Sequence, residues 1–428
     1  MKRALIVTSS YAPAMTADMH RARMLAWDLP KVGWGVEVLT AGEEFQRPES
    51  VDANSTALFN PEIPVHRVTP GNERLFRLLK MRSIGWRAIK PLYRKGCELL
   101  RSGRFDLVYL STTQFNLFCL GRLWRKRFHV PYVLDFHDPW VRDYGVSYTT
   151  TKHKFKLLIS RFLAKPLEKF AVKGAAGLVS VSPSYIGQLR RRYPNARCLT
   201  NNRAVVIPFA ATDRDFIVSS PTQPGGDFTR AIVYVGAGGS IMAKSFKRVI
   251  ELFHLVRDKR LLESIQICLY GTDSDWKEGQ PKYLQEIAKS SGLEKTVNER
   301  PTRIPYSESL RRISASDSLL ILGVDDPAYM PSKLFTYSLT GKPLLVCLHK
   351  DSQAKQYFER TPGIGTLIQF GDTSFEAYQR DLVLLESFLS DTDNGTRFDR
   401  RKVLEPYLAA AAATRHAELF DRCFSAKD

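Results

Sequence analysis

Met330–Pro343 reads MPSKLFTYSLTGKP. Pro331 and Ser332 stand just ahead of a helical spacing of apolar residues, Leu334, Phe335, Tyr337 and Leu339, and Gly341 and Pro343 end it. Proline near the start and glycine past the end punctuate a short helix. Apolar runs flank it, Leu319–Leu322 before and Leu344–Cys347 after. A strand, a short helix and a second strand in that order predict a parallel α/β unit. Ser332 is placed to cap the helix, which puts Lys333 in its first turn, where a cation opposes the helix dipole. An anion bound there would explain the lysine; a lysine whose stem snorkels along the surface would explain it without one.

The same alternation of short apolar runs and helical patterns continues in both directions. Strands are expected at Ala4–Thr8, Val36–Thr40, Leu107–Leu110, Tyr132–Phe136, Gly177–Val181 and Val205–Pro208. A second series follows at Ile232–Val235 and Ile265–Tyr270 and ends on the two strands already named. Two doubly wound parallel sheets in series are implied, which suits 428 residues, a length too great for one core. The join falls near Thr212–Gly226, where Ser219–Gly226 (SSPTQPGG) is rich in breakers. The domains expected are 1–215, 216–400 and a terminal helical segment, 401–428, able to pack on either.

Charge is uneven. Residues 1–215 hold 35 basic and 17 acidic residues, a formal +18, leaving 28 and 27 for the rest. Arg74–Arg104 alone has ten basic residues and one acidic, with Leu92, Trp86, Ile89 and Tyr93 among its interspersed apolar residues. Arg122–Arg127 (RLWRKR) and Lys152–Lys169 add further cations. The pattern fits a basic amphipathic helix on anionic lipid, or a solvated basic helix packed on its own domain. No recognised nucleic-acid motif accompanies the charge, so a nucleic-acid partner is not expected. No stretch approaches the roughly 18 apolar residues a spanning helix needs, so membrane contact would be peripheral. Six scattered cysteines without CxxC or histidine at ligand spacing suggest a reducing cytoplasm and no zinc site.

Strand-end loops are where open α/β sheets bind ligands. Ile232–Gly239 (IVYVGAGG) runs a strand into Gly236, Gly238 and Gly239, with a helix starting near Lys244. Glycines admit a phosphate close to the backbone, and a helix N-terminus offers it N–H groups; a purely structural glycine turn is the other reading. Tyr132–Trp140 (YVLDFHDPW) ends a strand in Asp135, His137 and Asp138. His137 and Asp138 are candidate catalytic groups, His137 suited to hydrogen-bond a sugar or shuttle a proton; an Asp-Pro turn capped by Asp138 is the plainer account. Asp273-Ser274-Asp275 imitates a metal-binding DxD but reads as an acidic loop, and Asp325-Asp326 is a carboxylate pair in a loop.

Taken in order, several segments resemble landmarks of the retaining glycosyltransferases of family four, over almost the full length. They are Tyr11-Ala12-Pro13 after the first strand, Leu29–Thr40 (LPKVGWGVEVLT), Asp138–Trp140 (DPW), Val179–Ser184 (VSVSPS), Val206–Phe216 (VIPFAATDRDF), Tyr234–Gly239 and Met330–Pro343. The resemblance implies the GT-B fold, two Rossmann-like doubly wound domains facing a central cleft. It implies a nucleotide-diphosphate sugar as co-substrate, with Gly236, Gly238, Gly239, Lys244, Pro331, Ser332, Lys333 and Thr336 on the donor. Tyr11 and Arg21 would face a lipid-linked or glycan acceptor, without a metal or other cofactor. A transferase building cell-surface polysaccharide or lipopolysaccharide, on the inner face of the membrane, is then expected. The chain departs from the family where Thr336 and Ala328 replace two glutamates, and where Ala14–Ala17 replace a Gly-Gly opening. Those departures keep open a non-catalytic scaffold; a sugar-nucleotide epimerase shares the fold.

Overall fold

The computed structural model describes residues 1–78, 83–141, 164–200, 202–217, 230–390 and 400–425. Residues 79–82 of the basic stretch, residues 152–163 of Lys152–Lys169 and the breaker-rich Ser219–Gly226 lie outside the described residues. The chain divides into two compact units, Met1–Ala210 with Tyr407–Asp428, and Ala211–Pro406. These divisions fall at 210/211 and 406/407, where the sequence suggested 215/216 and 400/401.

The first unit is built on seven parallel strands: β1 (Lys2–Val7), β2 (Trp34–Ala41), β3 (Val65–Val68), β4 (Leu107–Ser111), β5 (Tyr132–Phe136), β6 (Gly177–Ser180) and β7 (Ala204–Val206), in the order β3-β2-β1-β4-β5-β6-β7. The second has six: β8 (Arg230–Val235), β9 (Ile265–Tyr270), β10 (Val297–Arg300), β11 (Ser318–Leu322), β12 (Leu344–His349) and β13 (Thr366–Phe370), in the order β10-β9-β8-β11-β12-β13. Three strands not expected from sequence, β3, β10 and β13, all lie at sheet edges. An edge strand needs apolar residues on fewer sides, and VHRV, VNER and TLIQF accordingly mix polar with apolar residues.

In each sheet the order reverses once, between β1 and β4 and between β8 and β11. Loops that leave neighbouring strands in opposite directions open a crevice there, the place where doubly wound sheets take ligands. In the first unit that position belongs to the loops after Val7 and Ser111. In the second it belongs to the glycine loop after Val235 and the segment after Leu322.

One face of the first sheet packs Leu5, Val7, Leu110 and Leu134 against helices Ile84–Arg101 and Cys119–Phe128, through Leu92, Leu99, Leu120 and Trp124. The other face is covered by helices Met19–Asp28 and Ala409–Phe424. Phe420 lies 5.3 Å from the rings of both Trp34 and Tyr109, and Asp421 accepts from Trp34 Nε1 at 3.1 Å. In the second unit Phe246, Val249, Ile267, Leu320 and Leu345 form the corresponding core. A buried pair, Arg248–Asp381 at 2.9 Å, sits beside it, and Asp381 also accepts from Gln369 N at 3.1 Å.

Several apolar residues of the basic stretch are packed inside the first unit. Leu92 is buried, and Ile84, Ile89 and Tyr93 pack against the first unit's own core. The helix Ile84–Arg101 is therefore a solvated basic helix of its domain, with Lys90, Arg94 and Arg101 outside. Part of RLWRKR is structural as well. Arg122 and Arg125 donate to the carbonyls of Phe170 and Gly174 at the end of the helix at 164–173, which lack helical partners there.

Candidate functional site

In the first unit the loop after β1 is gathered by Asp18, which is buried at the entry to helix Met19–Asp28. Its carboxylate accepts from Ser9, Ser10 and Thr16 of that loop, and from Thr112 after β4 at 3.0 Å. One carboxylate thus fixes both loops of the switch point. One turn along the helix, Arg21 turns inward. Its Nε lies 3.0 Å from Asp135 Oδ2, and its other end donates to Ile207 O at 2.8 Å. Arg21 is 5% exposed, and this cation is engaged by Asp135 and Ile207 inside the unit. Tyr11 is also buried, ring-to-edge on Phe59, and its hydroxyl has no partner among the described residues.

Asp135, at the end of β5, collects Tyr109 and Ser111 from β4 and His137 from its own loop, with oxygen-to-donor distances of 2.8, 2.8 and 2.7 Å. Burial opposes ionisation, but Arg21 and then His137 outweigh it and hold the carboxyl below the ordinary carboxylate range. His137 is 5% exposed and lies 5.5 Å from the Phe209 ring, while Asp138 is exposed at the turn. Trp140 of the DPW turn stacks on Phe115 at 5.9 Å.

In the second unit Gly236 adopts φ 139° and Gly239 φ 55°, conformations closed to most side chains. A Cβ on Gly236 would come 2.0 Å from Lys333 Nζ, so this glycine makes room for that ammonium. The N–H groups of Gly236 and Gly238 are used within the unit, donating to Tyr270 O at 2.8 Å and Thr272 O at 2.9 Å. The N–H groups of Ala237 and Gly239 have no partner among the described residues. Lys244 opens the following helix, Ala243–Leu255, is exposed, and pairs with Asp325 from the loop after β11. Asp325 Oδ1 also lies 3.9 Å from His349 Nε2 at the end of β12.

The helix after Pro331 is shorter than its spacing suggested. It spans Leu334–Leu339, and Lys333 is the residue before its first turn. Ser332 is exposed and makes no capping bond. Six residues give little dipole, so an anion here would be drawn by the lysine and not by the helix. Lys333 Nζ makes no hydrogen bond or ion pair among the described residues and lies 5.9 Å from the Tyr234 ring. Burial first, and Arg303 second, lower its pKa from 10.5 to about 8. Tyr337 anchors the segment to β8 through its hydroxyl, 3.3 Å from both Val235 N and Val235 O. Thr336 is half-buried, and Ala328 N donates to Asp326 Oδ1 at 2.9 Å.

The structure thus brings Gly236 and Lys333 together, and puts Lys244 with Asp325. Asp273–Asp275 is an acidic turn, with Asp275 N donating to Asp273 Oδ1 at 2.9 Å. No group of three metal-ligating side chains occurs among the described residues. Sequence reasoning missed Tyr109 and His416, because they meet Asp135 only through sheet order and the return of the C-terminal helix.

Two doubly wound parallel sheets, each with a polar switch point, define the fold of the GT-B glycosyltransferases. Residues 19–210 match the family model described as glycosyl transferase 4-like domain. No curated protein sequence matches the chain. Among solved structures, HepE of Anabaena in complex with UDP is similar at TM-score 0.59 and 16% identity, covering 98% of this chain and 99% of that one. The catalytic domain of starch synthase IV from Arabidopsis thaliana, bound to ADP and acarbose, gives 0.62 at 12% identity, covering 99% of each. WaaG, a glycosyltransferase involved in lipopolysaccharide biosynthesis, gives 0.52 at 14%, covering 100% and 98%. At such identities the likeness establishes the fold.

Proposed function

We propose that this chain is a glycosyltransferase that takes a sugar from a nucleotide-diphosphate donor and places it, with retention, on a lipid-linked or glycan acceptor in cell-surface glycan synthesis. The observation that carries the reading is Lys333, a half-buried ammonium with no acidic partner among the described residues, seated over Gly236 at the switch point of the second sheet. A diphosphate supplies the missing charge. Lys333 and Lys244 would neutralise the departing nucleotide as the glycosidic bond breaks, an electrostatic contribution that needs no metal ion. HepE is solved with UDP and with UDP-glucose, which supports a nucleotide-sugar donor. WaaG's role in lipopolysaccharide biosynthesis supports the acceptor class. A cytoplasmic site, on the inner face of the membrane, follows from that acceptor and from the exposed cations of the first unit.

The scaffold reading rests on Thr336 and Ala328, where no carboxylate is available for the donor's hydroxyls. Incubation with a panel of nucleotide-diphosphate sugars separates the two. Release of the nucleoside diphosphate from one donor, lost in Lys333→Ala, is the expected result. Donor binding without release from any member, in the presence of lipid-linked acceptor extract, would favour the scaffold.

A further inference from the structure

The reaction proposed above leaves Asp135 unused, although it is the centre of the first unit's polar network. Tyr109, Ser111 and His137 hydrogen-bond to a single oxygen, Oδ2, and Arg21 pairs with the same atom at 3.0 Å. The other oxygen, Oδ1, and Nδ1 of His137 are buried with no hydrogen-bond partner among the described residues. Unpaired buried acceptors are uncommon in folded proteins and call for an explanation.

An ionised carboxylate only accepts hydrogen bonds. The proton between Asp135 Oδ2 and His137 Nε2, 2.7 Å apart, therefore belongs to the imidazole. In the neutral ring Nδ1 is then a bare lone pair, able to accept from an O–H or N–H. Tyr109 extends the network outward: its hydroxyl is 3.0 Å from His416 Nε2, and His416 Nδ1 donates to Ala412 O at 2.7 Å in the C-terminal helix. Tyr109 has one proton for two acceptors, and the charged one, Asp135, is the stronger.

We propose that Asp135 is a positioning residue: it holds His137 with its proton on Nε2, so that Nδ1 faces the substrate as an acceptor for a sugar hydroxyl, and Tyr109 donates its proton to the same carboxylate oxygen. The substrate class rests on the glycosyltransferase reading; the positioning does not.

The test uses the full chain with 15N-labelled histidine, without ligand. The His137 Nε2–H proton is expected to be protected from exchange and shifted downfield by its carboxylate partner, with Nδ1 unprotonated. Asp135→Asn removes the charge at constant shape, and should move that proton upfield and speed its exchange. Tyr109→Phe should move it less, in the same direction. UDP affinity in Asp135→Asn should stay within about twofold, since the donor glycines and Lys333 belong to the other unit. Nucleoside diphosphate release should fall on the order of a hundredfold in kcat with little change in KM, the effect expected of a misplaced group. If Asp135→Asn does not fold, Ser111→Ala, which removes one donor without touching the charge, should show the smaller shift. A proton on Nδ1, or unmoved His137 signals in folded variants, overturns the proposal. Absence of release by the native chain would overturn the transferase reading alone, and the imidazole spectra would still decide the positioning role.

Discussion

Lys333 is a cation whose free state is costly, because burial disfavours its charge and Arg303 repels it. An anion at Gly236–Gly239 reverses both effects, so binding should draw a proton onto the lysine wherever it is neutral. With a pKa of about 8 in the free chain, the charge is already present at lower pH and must be acquired at higher pH. UDP affinity is therefore expected to be flat below about pH 8 and to fall above it by at most about tenfold per pH unit. Lys333→Ala should bind more weakly and lose that slope. Titration calorimetry from pH 6.5 to 9.5 checks both, and a native slope unchanged in the variant would exclude the lysine. At this scale the sequence showed what a local motif can show. Pro331–Lys333 and His137 were legible because strand ends and breakers mark them. The pairing of Arg21 with Asp135 was not legible, because nothing near Arg21 in sequence announces Asp135, which the fold alone brings within reach.

The C-terminal helix Ala409–Phe424 closes the face of the first sheet where Tyr109 and Trp34 lie, and buries His416 there. Burial, then Arg21, lowers the His416 pKa from 6.5 to about 3. The folded chain then holds fewer protons at this site than the unfolded chain between those values, so acidification below about pH 6.5 weakens folding, by at most about 1.4 kcal/mol per unit from this group. Denaturant midpoints of native chain and His416→Gln should converge as pH drops from 7 to 5; parallel curves would show that the ring is not buried neutral. A second contact between elements is set by Gly96, whose added Cβ would lie 2.2 Å from the Trp124 ring. Gly96→Ala should destabilise by about 1–3 kcal/mol through overpacking, read from the same midpoints. Interior strands were legible because both their faces are apolar. The edge strands β3, β10 and β13 were not, and the short helix was drawn too long because Pro331 and Ser332 resemble a helix start that the turn at Ser332-Lys333 delays.

Two sheets in series could be read from the order of apolar runs, since parallel strands buried on both faces leave a strong trace in sequence. The side of the sheet taken by the terminal helix could not, because Ala409–Ala413 carry no directional signal. Charge is likewise a property of the whole. The first half carries +18, and Lys90, Arg94, Arg101, Lys126 and Arg127 are exposed. Since the apolar faces of their two helices are packed through Leu92, Leu99, Leu120 and Trp124, attraction to a membrane would be electrostatic. Binding should be seen with anionic vesicles, be absent with neutral ones and fade as salt rises above about 0.15 M; equal binding to both would contradict it. The anion site of the second sheet is decided by calorimetric titration of the native chain and Lys333→Ala with UDP, ADP and their glucose conjugates. Saturable binding of at least one diphosphate is expected, weakened by on the order of tenfold or more in the variant. Silence across the panel, or equal affinity in both proteins, would contradict it.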